Sequence, residues 1–261
     1  MPIRLAQSLV STLSLIFVWW LVTGGLELFS PLVLPSPANV GEAAWDLLFN
    51  PQLRLFSGGI YHGNLLGHAL ISTGRVIVGF ATGVVLAVPL GVLIARNRAV
   101  EPYINPILQT MRPIPPIAWT PLAILWFGIG LKAIIFLIVL GSFWPMLLNT
   151  ISGVRQVSPI LSRAAASLGA NRRQVLFTVV LPAAIPFLFT GLRLSFGSAW
   201  VTIVAGELIA ATEGLGYLIM TARSILSSPD VIVGMLTIGL LGLGFDRLFR
   251  ALEARLYERV A

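Results

Sequence analysis

Four ionisable side chains interrupt otherwise apolar stretches of the sequence: Arg75, Arg112, Arg193 and Glu207. An arginine at the middle of a bilayer costs about 2.5–3.5 kcal/mol on insertion scales, so it should face protein or water. Because a guanidinium group binds sulfonate or carboxylate bidentately, Arg112 and Arg193 are candidates for holding an anion. The alternative is that the arginines reach lipid headgroups or pair with backbone carbonyls. Glu207 is a candidate partner for Arg75 or for another arginine, and it is grouped with Arg112 and Arg193 as a candidate residue lining a path through the membrane.

A proline-rich segment at 112–119 reads Arg-Pro-Ile-Pro-Pro-Ile-Ala-Trp. Pro115 and Pro116 have no backbone N–H and leave carbonyl groups without donors, which is tolerated at membrane depth only against protein or a water-filled cavity. Residues 113–121 are therefore predicted to line a path, with Trp119 and Trp126 as gate candidates. A packing kink flanked by interfacial tryptophans is the alternative.

The sequence gives no indication of an enzyme site. It has no cysteine, which removes disulfides and thiolate ligands. His62 and His68 are six residues apart, whereas metal ligation from one helix face favours spacings of three or four, so we expect no metal site. No G-x4-G-K-[S/T] phosphate loop occurs and the only lysine is Lys132, so we expect neither an ATPase site nor a bound cofactor in this chain.

The composition indicates an integral membrane protein. Of 261 residues, 57% are hydrophobic and 10% are charged, whereas a soluble domain usually carries about 25% charged residues. The formal net charge is +7, but the arginines are dispersed and no basic run is interleaved with aromatic residues, which argues against nucleic-acid binding.

The apolar stretches predict six membrane-spanning helices, at about 5–27, 68–95, 104–128, 132–154, 185–210 and 229–250. Segment 174–192 is also long and uncharged, but a seventh span would put the C-terminal arginines on the opposite side from Arg4. Six spans place both termini and most arginines in the cytoplasm, as the positive-inside rule expects. We therefore expect one all-α domain over 1–261, with a periplasmic loop at 30–62 and a cytoplasmic loop at 155–183.

Prolines and glycines are expected to shape these helices. The third span is broken by its prolines, and segment 174–192 becomes a helix at the cytoplasmic interface, bending into the fifth span at Pro182 and Pro186. Ser228-Pro-Asp230 is a clear start for the sixth helix. Four glycines of that helix are predicted to allow close packing: Gly234, Gly239, Gly242 and Gly244.

A short surface helix is predicted in the outer loop. Asn39 and Glu42 have the spacing of a capping box, which would open the helix at Asn39. Its apolar positions fit a helix lying on the membrane surface, or an ordinary loop helix without function: Val40, Ala43, Ala44, Leu47 and Leu48.

The cytoplasmic loop at 155–183 is predicted to hold a short helix–turn–helix. Ser158 is a good N-cap, Pro159 suits the first helical position, and Gly169 can take the left-handed conformation that ends a helix. Asn171 and Gln174 again have capping-box spacing. A short helix capped in this way, with small residues on its surface, can transmit a push from another subunit. A re-entrant or interfacial loop without a partner is the alternative.

The string RAAASLGANRRQVLFTVVLP at 163–182 resembles the coupling-loop pattern EAA-x3-G-x9-I-x-LP of ABC importer permeases. Arg163 stands where the pattern has Glu, which questions any salt bridge that the Glu would make. Segments 34–40, 101–130 and 204–219 are similar to the nitrate/sulfonate/taurine branch of these permeases.

This resemblance implies a MetI-like type I importer fold and a permease in a bacterial inner membrane. It implies a second permease, either another copy of this chain or a close relative, with the homodimer favoured. It also implies two ATPase subunits that carry ATP and Mg, and a periplasmic or lipid-anchored binding protein that delivers the solute. The solute would be a small anion or zwitterion, with sulfonate or taurine favoured over nitrate. The residues implied to contact the ATPase are Pro159, Ser162, Arg163, Ala164, Ala165, Ser167, Leu168, Gly169 and Ala170.

Two other functions compete with this interpretation. A self-powered secondary transporter or channel would need coupling carboxylates at mid-membrane or a repeated architecture. A membrane-embedded enzyme would need clustered His, Asp or Glu near one interface. The predicted spans are nearly empty of acids and show neither pattern.

Overall fold

The computed structural model describes residues 2–26, 28–49, 64–97 and 99–260, and these ranges contain helices and connecting turns without strands. The helices are, in chain order, α1 (Pro2–Trp20), α2 (Pro37–Phe49), α3 (Leu65–Arg96), α4 (Glu101–Met111), α5 (Thr120–Phe127), α6 (Leu131–Gln156), α7 (Pro159–Ser167), α8 (Arg172–Ala210), α9 (Leu215–Ser224) and α10 (Ser228–Val260). A π-helical turn, Leu21–Gly25, follows α1, and a 3-10 turn, Pro116–Trp119, precedes α5.

Four helices are long and apolar enough to cross a membrane: Leu65–Arg96, Leu131–Gln156, Arg172–Ala210 and the Ser228–Arg255 part of α10. They correspond to the second, fourth, fifth and sixth predicted spans. The described apolar stretches Val10–Gly25 and Pro116–Phe127 are shorter. The multi-pass, all-helical prediction is confirmed, while the count of six spans stays a prediction.

The third predicted span is divided at its prolines. Helix α4 ends at Met111, and the chain becomes helical again only at Pro116. Pro115 has φ −59° and ψ 139°, an extended conformation, because the ring of Pro116 disfavours a helical residue before it. Residues 112–115 therefore form a turn between α4 and the 3-10 turn that precedes α5.

Helix α8 is one uninterrupted run of 39 residues, so the predicted interfacial helix and the fifth span are continuous. Its π-helical turn, Leu176–Val180, lies immediately before Pro182, and the Leu181 N–H bonds the Leu176 carbonyl. A proline ring clashes with the carbonyl four residues earlier in an α-helix, and the wider π turn relieves that clash.

The outer-loop helix α2 begins earlier than the sequence pattern indicates. It starts at Pro37, and the Ser36 hydroxyl accepts the Asn39 N–H at 3.3 Å, so Ser36 rather than Asn39 caps the helix. The predicted capping box at Asn39 is wrong because Pro37, with its fixed φ, already suits the first helical position. Val40, Ala43 and Leu47 are buried, as the amphipathic pattern indicates; Ala44 and Leu48 are half-buried.

The chain groups into two compact units, one formed by Met1–Ile71 with Glu213–Leu240 and the other by Ser72–Thr212 with Leu241–Ala261. In the first unit, the Trp19 indole N–H donates to the Pro35 carbonyl at 3.0 Å, and Ser228 donates to the Leu32 carbonyl. These bonds attach the segment before α2 to helices of the same unit.

The second unit is built on α6 and α8, and the part of α3 from Ser72 onward packs against α6. Its fully buried core side chains include Leu137, Ile138, Met146 and Leu147. A β-carbon on Gly153 would lie 2.6 Å from Cβ of Phe187, so glycine is required at this close contact between α6 and α8.

Within the part of the chain that the structure describes, two of the four glycines of α10 pack closely against a neighbouring side chain, and two do not. Gly234 packs against Ile219 within the first unit, and Gly242 packs against the Trp200 indole within the second. A β-carbon on Gly239 or Gly244 would have no neighbour within 4 Å among the described residues, so no close packing is seen there at these two positions.

Candidate functional site

Helix α7 has the local structure that the sequence predicts. The Ser158 hydroxyl accepts the Ile160 N–H at 3.3 Å, and Pro159 is the first helical residue. Gly169 follows the last turn of the helix with φ +87°, and the N–H of Ala170 returns to the Ala165 carbonyl at 3.1 Å. Both helix ends are thus satisfied by local bonds, which fixes α7 as a rigid unit.

The start of α8 is fixed by a complete capping box. The Asn171 N–H donates to Oε1 of Gln174 at 2.7 Å, and the Gln174 N–H donates to Oδ1 of Asn171 at 2.9 Å. This bears out the predicted capping box. Because only Leu168, Gly169 and Ala170 separate the end of α7 from this cap, the direction of α7 relative to α8 is set by few backbone angles.

Helix α7 is anchored on one side and exposed on the other. A small cluster of Val154, Val175, Val180 and Ala184 is buried beneath it, with the half-buried Ala165 packed against this cluster. The residues implied to contact an ATPase and exposed here are Pro159, Arg163, Ala164, Ser167, Leu168 and Gly169, whereas Ser162, Ala165 and Ala170 are half-buried.

The exposed side of α7 carries apolar side chains that would ordinarily be covered. Leu168 is 89% exposed and Ile160 is 68% exposed, although both lie on the loop predicted to be cytoplasmic. Arg163 donates from Nε to the Pro159 carbonyl of its own helix at 3.4 Å and has no described carboxylate partner. This surface fits contact with another protein better than contact with water.

A second group of candidates lines a cavity of about 380 Å³ in the second unit. Arg112, Pro115 and Pro116 form one wall, and the path predicted at the proline-rich segment stays a prediction. The remaining walls come from α6, α8 and the residue between the prolines: Ile114, Gly141, Trp144, Pro145, Leu148, Asn149, Leu194 and Ser198. Arg112 is the charged residue among these lining residues, so the cavity suits an anion.

The α6 wall offers polar groups that the sequence interpretation missed. Pro145 has no N–H, so the Gly141 carbonyl loses its usual helical donor. Asn149 donates from Nδ2 to the Pro145 carbonyl at 2.8 Å and still has a second N–H and its Oδ1. A proline followed four residues later by an asparagine inside a strongly apolar span was the available signal.

The two tryptophans predicted as gates are outside the lining of this cavity. Trp119 packs on the buried cluster of Ala123, Ala133 and Leu137. The Trp126 ring contacts the Phe136 ring edge-on, with centroids 5.9 Å apart. Both contacts are those of packing residues, and a gating role stays a hypothesis.

The predicted candidate Arg193 is engaged by carboxylates. Its Nε lies 2.9 Å from Oδ1 of Asp246, and its NH1 lies 4.0 Å from Glu253. Asp246 also pairs with Arg250 one turn further along α10. Arg193 thus ties α8 to α10 within the second unit, and its predicted contact with substrate stays untested.

The expected partnership of Arg75 and Glu207 is confirmed. NH1 of Arg75 lies 2.8 Å from Oε1 of Glu207, and the Ser72 hydroxyl lies 2.8–2.9 Å from both carboxylate oxygens. Glu207 is 1% exposed. The cluster joins α3 to α8 inside the apolar core and does not face a cavity described for that unit.

Of the two histidines, the structure describes His68 alone. His68 is buried on α3 and accepts the Gly214 N–H on Nδ1 at 3.0 Å, which makes it a structural residue. His62 lies outside the described residues. Among the described residues, no group of three or more His, Cys, Asp or Glu side chains is placed to hold a metal ion.

The sequence of the chain is similar to permeases of known transport systems. It is 38% identical over 242 residues to the taurine transport system permease protein TauC of Escherichia coli, which covers 93% of this chain and 85% of the relative. It is 37% identical over 245 residues to a putative aliphatic sulfonates transport permease protein of Bacillus subtilis, with 94% and 84% covered.

The fold is also that of a solved transporter chain. A chain of the MetNI methionine ABC transporter in an inward-facing conformation superposes with a TM-score of 0.64 at 21% identity, covering 82% of this chain and 100% of that chain. The family model described as "Binding-protein-dependent transport system inner membrane component" matches residues 87–257. The chain therefore belongs to the family of binding-protein-dependent transport system inner membrane components, the permeases of ABC transporters.

Proposed function

We propose that this permease forms the translocation path for a small organosulfonate or taurine in an ATP-driven importer, with nitrate as the next candidate. The observation that carries the proposal is α7, a self-capped helix with an exposed apolar side that has the coupling-loop sequence. The substrate class is supported by the 37–38% identity to the taurine and aliphatic sulfonates permeases.

The partners follow from the same helix. Two ATPase subunits would bind α7 of two permease copies, and ATP and Mg would bind on those subunits. Closure of the ATPases would move each α7 as a rigid body, and its short connection would pass the movement to α8. A periplasmic or lipid-anchored binding protein would deliver substrate to the opposite side.

The proposed orientation places both termini in the cytoplasm of a bacterial inner-membrane protein. Six spans, at 5–27, 68–95, 104–128, 132–154, 185–210 and 229–250, would leave 30–62 periplasmic and 155–183 cytoplasmic. Arg155, Arg163 and Arg172 then lie on the cytoplasmic side, where the positive-inside rule favours them.

The substrate anion would pass the cavity at the proline-rich segment. Arg112 supplies the positive charge, and Asn149 and Ser198 supply neutral polar groups on the facing helices. Hydrogen bonds to a charged group contribute about 1.5–3 kcal/mol, enough for selection without trapping the substrate. The prediction that Arg193 and Glu207 line the path rests on the sequence alone. In the structure, both side chains form ion pairs with other residues of the chain.

The proposal is tested by ATPase activity of the chain in nanodiscs, alone and with its ATPase subunit, with and without loaded binding protein. We expect no hydrolysis by the chain alone, and hydrolysis stimulated by a sulfonate or taurine in the full complex. Uptake driven by an ion gradient in the lone chain would instead establish a secondary transporter. Stimulation by nitrate alone would correct the substrate and keep the mechanism.

Replacement Arg112→Gln is expected to reduce substrate uptake by roughly 10- to 150-fold, the equivalent of about 1.5–3 kcal/mol. Arg112→Lys should retain part of the uptake, because it keeps the charge and loses the bidentate geometry. Uptake into proteoliposomes containing the full complex measures the effect. The control is Arg247→Gln, which removes an exposed arginine outside the cavity. Equal uptake by Arg112→Gln and the control would remove Arg112 from the path.

A further inference from the structure

A larger cavity of about 960 Å³ lies between the end of α3 and the beginning of α8. Its polar groups are Arg96, Asn97 and Arg172. Its other walls are apolar: Val88, Pro89, Val92, Leu93, Leu176, Phe177 and Leu181. The cavity is thus basic at one end and apolar along the rest. None of its lining residues belongs to helix α7 or to the Arg112 cavity.

The two arginines of this cavity differ from the ion-paired arginines of the same unit. Arg96 and Arg172 are exposed, and neither forms an ion pair with a described residue, whereas Arg155 and Arg193 both do. No carboxylate lines the cavity. Arg172 also occupies the first turn of α8, where the positive end of the helix dipole disfavours a cation unless an anion is near.

The apolar walls are open rather than packed. Leu93 is 52% exposed and Phe177 is 57% exposed, and they come from different helices on the two sides of the cavity. Leu176 and Phe177 lie on the π-helical turn before Pro182, and Pro89 lies inside α3. A hydrocarbon chain would cover these surfaces without needing hydrogen bonds.

We propose that this cavity binds an anionic phospholipid of the cytoplasmic leaflet, with the headgroup phosphate between Arg96 and Arg172. The guanidinium groups would bind phosphate oxygens, Asn97 would add a neutral donor, and an acyl chain would lie between Leu93 and Phe177. Basic pockets between helix ends on this side of a membrane suit such headgroups. The proposal rests on the orientation proposed above and not on transport or on the substrate.

A lipid explains the cavity better than a free anion does. Inorganic phosphate would satisfy the arginines and leave the exposed apolar walls in water. A neutral phospholipid would cover the walls, but its own cationic headgroup would compete for the phosphate. Only an anionic phospholipid matches both ends of the cavity.

The test is native mass spectrometry of the delipidated full chain, titrated with phosphatidylglycerol or with phosphatidylcholine of identical acyl chains. We expect retained phosphatidylglycerol at a concentration at which phosphatidylcholine is retained at least tenfold less. The double variant Arg96→Gln/Arg172→Gln should lose that preference, and Arg96→Lys/Arg172→Lys should keep most of it. The double variant Arg247→Gln/Arg255→Gln loses the same charge elsewhere and should behave like the unaltered chain.

Three results would overturn the proposal. They are equal retention of the two lipids, an unchanged preference in Arg96→Gln/Arg172→Gln, and displacement of phosphatidylglycerol by millimolar inorganic phosphate, which would show a simple anion site. Binding is measured without ATP, substrate or partner subunits, so failure here leaves the transport proposal intact. Failure of the transport assay likewise leaves lipid retention as an independent result.

Discussion

Gly169→Val is expected to abolish substrate-stimulated ATP hydrolysis in the assembled transporter, while Gly169→Asn keeps it within about twofold. Gly169 has φ +87°, and no described atom lies within 4 Å of the position that a β-carbon would take. The cost of valine is therefore in the backbone, where the left-handed conformation is unfavourable by about 1–2 kcal/mol for an L-residue and more for a β-branched one. Asparagine tolerates that conformation.

The valine variant would relieve this strain by rotating the backbone at the turn. The bond from the Ala170 N–H to the Ala165 carbonyl would then break, and α7 would point in a different direction from the base of α8. Hydrolysis in nanodiscs with and without loaded binding protein measures coupling, and co-purification of the ATPase reports whether the complex still assembles. Coupling retained in Gly169→Val, or lost equally in Gly169→Asn, would show that the turn geometry does not transmit the movement.

Glu207→Ala is expected to destabilise the permease by about 3–5 kcal/mol, because it leaves the Arg75 guanidinium buried without its carboxylate. Arg75 is 10% exposed in its side chain and Glu207 is 1% exposed. The double variant Arg75→Met/Glu207→Leu should be markedly more stable than Glu207→Ala, since apolar side chains of similar volume often replace a buried pair without loss. Thermal unfolding of the detergent-solubilised chain measures both.

Ser72→Ala is the matched control for this cluster. It removes a neutral hydroxyl donor from the same carboxylate and should cost about 1 kcal/mol. The decisive comparison is between the single and double variants at the ion pair. If the double variant unfolds at the same temperature as Glu207→Ala, the cluster acts through shape rather than through charge.

The coupling loop could be predicted from sequence because its structure is local. Ser158, Gly169 and Asn171 each act on atoms within three or four residues, so their types and spacing determine the caps. The wrong prediction of a capping box at Asn39 in α2 has the same origin. Ser36 and Pro37 form a start signal as strong as Asn39, and local patterns do not rank two competing signals.

The candidate site within the membrane could be predicted only in part. Arg112 and the prolines were visible because they are unusual in an apolar stretch. Asn149 and Ser198 become relevant only when α6 and α8 pack beside them, and the Arg193–Asp246 pair joins residues 53 positions apart. Contacts of that kind depend on helix packing, which periodicity and composition do not specify.

The Arg75–Glu207 pair also constrains the order of biosynthesis. The two residues are 132 positions apart, so α3 with Arg75 enters the membrane long before Glu207 has been synthesised. At about 5–20 residues per second, that interval is roughly 7 to 26 s. During it, the arginine must be accommodated by water, by headgroups or by the insertion machinery. The nascent chain therefore cannot complete the packing of α3 until α8 arrives, and a translation arrest between them would leave a fragment with an uncompensated charge, suited to removal by membrane proteases.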